Sequence, residues 1–248
     1  MLGIGLSGTD RIQHSDTIRV GMAGDYPPMN ARTIDGRLIG LDADLAAALA
    51  SILQVKLELV EMPFGELLEA VRSGRVDVAI SGITMTPRRN LEVAFAGPYY
   101  VARKAILGKP EILIGIDQIS QLRGRNLRIA ALSGGTSEQL VKAQLPKSKH
   151  LFRSNQDEAV ALILNGQADV MIADDPVIRF ALLRNPDAGL DFVESRFTAE
   201  PIGIAISPND PLFVNLIQNY LRNLEQIGVL DMLRAKWFEQ TDWVGLLP

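Results

Sequence analysis

A chain of 248 residues, 47% apolar and 22% charged, has a globular composition and enough length for one large domain or two lobes of ordinary size. Its net charge of −4 argues against nucleic-acid binding, which draws on a basic patch, and no apolar run approaches the roughly 20 residues that span a bilayer. The absence of cysteine excludes disulfides, thiolate metal sites and a cysteine nucleophile.

In chain order, the opening MLGIGLSGTDRIQHSD lacks the basic start and long apolar core of a complete export signal. Two locations fit: a cytoplasmic protein, or an exported one whose leader has been removed. Residues 17–23 (TIRVGMA) predict a buried strand running into the stiff turn Gly24-Asp25-Tyr26-Pro27-Pro28. Ile34-Asp35-Gly36-Arg37 is a hairpin signal, and Asp42 is expected to cap a helix with Leu45, Leu49, Ile52 and Leu53 on one face. A strand over 55–60, a helix over 64–73 closed by Gly74, and a strand over 76–81 follow, a βαβαβ order that predicts a parallel sheet.

That last strand opens the stretch richest in chemistry, ISGITMTPRRNLEVAFAGPYY (80–100). Ser81, Gly82 and Thr84 lie at its carboxyl end, where open α/β sheets hold ligands. Two arginines sit on the turn that follows, and a guanidinium fork beside hydroxyl and backbone donors suits a carboxylate. Successive side chains on a helix do not face the same site, so one of Arg88 and Arg89 is solvated.

The second half repeats the scheme: a strand over 127–132 running into SGGTS, helices over 137–145 and 157–164, and a strand over 168–173 ending at Asp174-Asp175-Pro176. IRVGMAGD answers LRIAALSGG, and SGRVDVAISG answers NGQADVMIAD. A strand after Pro201 and helices over 211–227 (Leu212, Leu216, Tyr220, Leu224) and 230–238 read as a return to the first lobe. The predicted fold class is α/β, two Rossmann-like lobes joined by a two-crossing hinge near 101–105 and 196–200. The first lobe is residues 1–103 with 199–248, the second 104–198, with the ligand cleft between them and hinge closure as the expected motion.

Other features read as ordinary structure. His14 and His150 lack metal-ligand spacing, Ser133-Gly134-Gly135-Thr136 lacks the lysine of a phosphate loop, and Trp237 and Trp243 are expected to pack. Asp77 and Asp169, each ahead of an apolar run, are expected to hydrogen-bond loops.

Taken together, GDYPPM, DGRLIGLDADLAAALA, SGRVDVAISGITMTPRR, VAFAGPYY, SGGTSEQL and NGQADVMIADD resemble the extracytoplasmic solute-binding proteins of polar amino-acid ABC transporters, with the type II periplasmic-binding fold. The resemblance runs from about Ile18 to Trp243. It implies that Arg89 binds a ligand α-carboxylate with help from Thr84 and the Ser81-Gly82 backbone. It also implies that Gly135, Thr136 and Ser137 bind the same carboxylate at a helix N-terminus, that Asp174 takes the α-ammonium, and that Tyr26 and Phe64 wall the side chain. Tyr100, Asp25 and Asp175 complete the expected wall. The implied protein is a periplasmic monomer without metal or cofactor that delivers a small amino acid or related carboxylate to a membrane permease; a sensory domain of a larger receptor is an alternative on the same fold.

Two departures stand out. Many members carry an acid just after the first strand, where this chain has Met22-Ala23. The chain also resembles cyclohexadienyl (arogenate/prephenate) dehydratases on the same scaffold. Those place a glutamate proton donor three residues beyond the Asp174 position, where Val177 stands here, leaving Lys104 and Asp175 as the remaining acids.

Overall fold

The computed structural model describes residues 8–195 and 198–248. Residues 1–7 of the opening segment, and Arg196 and Phe197 of the second expected crossing, lie outside the described residues.

A short helix α1 (Gly8–Ser15) leads into β1 (Thr17–Met22), then β2 (Asp25–Tyr26), β3 (Asn30–Arg32) and β4 (Leu38–Ile39), the last two forming the expected hairpin. Helix α2 (Leu41–Leu53), β5 (Lys56–Glu61), a 3-10 turn (Phe64–Glu66), α3 (Leu67–Arg72) and β6 (Val78–Thr84) follow. A second 3-10 turn (Arg89–Leu91) precedes β7 (Ala94–Ala102). Next come β8 (Lys104–Gly108), α4 (Pro110–Leu113), β9 (Arg128–Leu132), α5 (Thr136–Gln144), β10 (Lys149–Arg153), α6 (Gln156–Leu164), β11 (Val170–Asp174), α7 (Asp175–Arg184) and β12 (Asp191–Glu194). The chain closes through β13 (Glu200–Ile206), α8 (Pro211–Gln226) and α9 (Val229–Phe238).

These elements divide into two compact units, Met1–Tyr100 with Pro201–Pro248, and Val101–Glu200. The sheet of the first has the order β5-β1-β6-β13-β7, with β1 parallel to β5 and β6, and β13 antiparallel to β6. The sheet of the second has the order β10-β9-β11-β8-β12, with β9 parallel to β10 and β11, and β8 antiparallel to β11. The sequence echo is therefore an echo of topology, with a parallel triplet in each unit flanked by an antiparallel strand.

One ion pair repeats with it. Asp77 takes the Arg19 backbone N–H at 2.7 Å and its guanidinium at 3.0 Å, while its own N–H donates to the Arg19 carbonyl at 2.9 Å. Asp169 does the same with Arg128, at 2.7, 2.6 and 2.9 Å. Both aspartates are structural, as their positions ahead of apolar runs suggest.

The helices depart from the sequence expectations in three places. Gly40, not Asp42, is the residue at the α2 N-cap; its φ of 127° and the nearby Met29 carbonyl leave no room for a Cβ. Asp42 lies in the first turn, two residues past the cap, and is fully buried. On the same helix Ile52 is exposed, and the buried face ends at Leu49 and Ala50. On α8 the buried face is Phe213, Ile217, Tyr220, Leu221 and Leu224, while Leu212 is exposed; the Asp210 side chain caps the helix by accepting the Phe213 N–H at 3.0 Å. Trp237 is buried, with its indole N–H donating to Asp44 at 2.7 Å, and packs on Trp243.

Candidate functional site

In the first unit the site grows from β6, buried along all seven residues. A strand so covered delivers its last residues to a fixed place at the sheet's carboxyl edge, and there the chain must turn. Gly82 allows the geometry with a φ of 60°, and the Tyr26 ring lies against it so closely that a Cβ would stand 2.5 Å from two ring carbons. The Ser81 hydroxyl accepts the Ala23 N–H at 2.9 Å, tying the end of β6 to the segment after β1. Adding a Cβ at Gly82 forces either the ring or the strand to move. Gly82→Ala is therefore expected to lower stability by about 2 kcal/mol or more and to weaken ligand binding, read by thermal melts and calorimetry.

After Thr84 the chain makes a polar turn. The Thr86 hydroxyl accepts the Arg89 N–H at 3.2 Å, and the Arg89 guanidinium donates to the Thr84 carbonyl at 2.8 Å while lying 5.6 Å over the Phe64 ring. Arg89 is 6% exposed, whereas Arg88 is exposed. Burying a guanidinium costs several kcal/mol unless partners compensate, so its place at a strand end among Phe64, Thr84 and Thr86 is a strong constraint on the local chain. Tyr26, Phe64, Ser81, Gly82, Thr84 and Arg89 thus come from four segments of one unit. Tyr100 goes elsewhere, stacked on Phe238 at 4.4 Å.

Beneath this edge lies a network that the sequence did not disclose. Asp42, 0% exposed, accepts the Tyr99 hydroxyl at 2.6 Å and the Asn30 amide at 2.7 Å, and the Gly82 backbone hydrogen-bonds it as well. The Asn30 carbonyl oxygen in turn accepts the Gly24 N–H at 2.8 Å. Burial pushes the Asp42 carboxyl up to about 7, against the pull of its donors, and the same burial with the adjacent carboxylate holds the Tyr99 phenol well above its ordinary value.

In the second unit, Gly135 is the N-cap of α5, with Thr136 and Ser137 opening the helix. Asp174 is the N-cap of α7, at the end of β11. Lys104, opening β8, joins them: its ammonium hydrogen-bonds Asp174, donates to the Thr136 hydroxyl at 2.7 Å and lies 3.4 Å from Glu200. Thr136 donates onward to Glu200 at 3.0 Å. Lys104 is 1% exposed, and Asp174 and Glu200 9% each. Asp175 accepts the Arg103 N–H at 2.8 Å, and burial raises its carboxyl above the usual range. Val177 is buried in α7 and carries no proton to transfer. Among the described residues, no cluster of three or more histidines and acids could hold a metal ion.

From the sequence Lys104 was expected only as a spare acid, and Glu200 only as the end of the second crossing. Both had a signal, a lone charge opening an otherwise apolar run (KAILG and EPIGIAI).

Comparison with known proteins bears on family and fold. The family profile for bacterial extracellular solute-binding proteins, family 3, matches residues 18–240. The chain is 30% identical over 222 residues to the arginine-binding extracellular protein ArtP of Bacillus subtilis (strain 168), covering 88% of this chain and 85% of that protein. It is 28% identical over 237 residues to the cyclohexadienyl dehydratase of Pseudomonas aeruginosa (strain PAO1), covering 93% and 85%. Among solved structures, the ancestral amino acid-binding protein AncCDT-1, a precursor of cyclohexadienyl dehydratase, superposes with a TM-score of 0.85 at 36% identity, covering 94% of this chain and all of that one.

Proposed function

Because the chain belongs to the bacterial extracellular solute-binding proteins of family 3, we propose that it binds a small amino acid and hands it to the membrane permease of an ABC transporter. Arg89, with Thr84 and the end of β6, takes the α-carboxylate; Gly135, Thr136 and Ser137 supply further donors; Asp174 takes the α-ammonium; Tyr26 and Phe64 face the side chain. The observation that carries this reading is Arg89 itself, buried at a strand end over an aromatic ring while its neighbour Arg88 is solvated. A zwitterion needs a fixed cation for one end and a fixed carboxylate for the other, and the chain provides both on well-packed element ends.

Export follows from the family, whose members work outside the cytoplasm, and a monomer suffices for the task. Among the described residues no helix is long and apolar enough to cross a membrane. A dehydratase role is the competing reading, since one relative has that activity. Val177 disfavours it, because the position offers no proton to a departing hydroxyl.

A thermal-shift screen of the twenty L-amino acids tests the proposal. Ligand at a hundred times its Kd adds about 2.7 kcal/mol to the native state, a rise in Tm of about 5–10 °C for a chain of this size. No shift with any amino acid sinks the reading. Absorbance of an aromatic product from prephenate or arogenate would establish the enzyme instead.

A further inference from the structure

The ammonium of Lys104 already stands on Asp174, the residue assigned to a ligand's ammonium. It is almost wholly buried, and its three donors meet Asp174, the Thr136 hydroxyl at 2.7 Å and Glu200 at 3.4 Å. Thr136 gives its single hydroxyl proton to Glu200 at 3.0 Å while accepting from Lys104, so that hydroxyl is committed within the cluster. All four residues belong to the second unit. Two carboxylates brought this close repel unless a cation lies between them, and Lys104 is that cation. One ammonium against two carboxylates leaves a net charge of 1 − 2 = −1. A site that relied on Asp174 alone would reach the same charge without Lys104; the chain instead carries an extra acid and an extra base, both at strand starts.

We propose that Glu200 is a second carboxylate for the ligand's α-ammonium, and that Lys104 is a positioning residue that holds Asp174 and Glu200 together and keeps their site at one net negative charge. The inference rests on the amino-acid-binding reading and deepens it. Charge fixes the sign of each consequence. Glu200→Gln brings the site to zero and erodes selection for an ammonium. Lys104→Met brings it to −2 and sharpens that selection. The double variant returns it to −1.

The measurement is calorimetric Kd for L-arginine and for 5-guanidinopentanoate, which is arginine without its α-amine, with the full chain. The affinity ratio between the two isolates the ammonium's share, and a residue with a merely structural role would weaken both ligands alike. Glu200→Gln is expected to lower the ratio about tenfold or more, Lys104→Met to raise it, and the double variant to restore it to within about threefold. The double variant carries one uncompensated carboxylate rather than two, so it keeps the test open if Lys104→Met alone fails to fold. An unchanged ratio in Glu200→Gln, or a double variant that follows Glu200→Gln instead of the unaltered protein, overturns the inference and leaves the function standing. No binding of L-arginine by the unaltered protein also overturns it, and silence across all amino acids overturns the function with it.

Discussion

Arg89→Ala is expected to abolish measurable binding of the amino acid that the screen returns while leaving the fold in place. Removing one partner of a buried, hydrogen-bonded charge pair costs about 2–5 kcal/mol, or about 30-fold to several thousand-fold in Kd. The cost is high because the ligand carboxylate would be desolvated against Phe64 and the β6 edge without its cation. The fold loses less: the Thr84 carbonyl gives up one donor at 2.8 Å, and the turn keeps its Thr86 bond to the residue 89 backbone N–H. An unsatisfied carbonyl costs about 1–3 kcal/mol, so the melt should shift but remain a single transition. Arg89→Lys separates charge from shape. It keeps the cation but loses the planar fork over Phe64, and affinity should fall between the two. Calorimetry showing undiminished affinity in Arg89→Ala would remove the carboxylate assignment altogether.

That only one of Arg88 and Arg89 can face the site was open to sequence reasoning because it depends on local geometry, neighbours on one turn pointing apart, and the family resemblance singled out Arg89. The parallel triplets were legible for the same reason, through apolar runs and glycine stops at Gly74 and Gly166. What escaped depends on partners far apart in the chain. Asp42 before an alanine-rich helix looks like a cap, and only the arrival of Tyr99, 57 residues later, shows it to be a core acid. Lys104 meets Asp174 across 70 residues, and Thr136 meets Glu200 across 64. Residue types advertise a charge; they do not say which other charge will be folded against it. The faces of α2 and α8 slipped for a related reason. Which edge of an apolar stripe meets the core depends on what packs against it, and Ile52 on α2 and Leu212 on α8 fall outside the packed side.

Asp42 gives the second large effect, in stability rather than binding. Its folded value of about 7 lies above the ordinary 3.8 of an exposed aspartate, and burial is the cause. Between those values the native chain holds a proton that the unfolded chain has released. Stability therefore falls as pH rises from about 4 to about 7, by as much as about 4 kcal/mol, and this contribution is flat above that range. Asp42→Asn carries no such proton. Its amide can still accept the Tyr99 hydroxyl, but its NH2 faces the Asn30 NH2, so the variant starts at a disadvantage in acid. That disadvantage should shrink steadily toward neutral pH, with the Tm difference from the unaltered protein closing by up to about 10 °C between pH 4.5 and 7.5. Tyr99→Phe removes a donor to the carboxylate and should carry the same loss to higher pH. A difference between Asp42→Asn and the unaltered protein that stays constant with pH would mean that Asp42 does not hold its proton in the fold. The ionised carboxylate would then accept from the Gly82 backbone across the whole pH range, and the end of β6 beside Tyr26 would be held equally well in acid and at neutral pH.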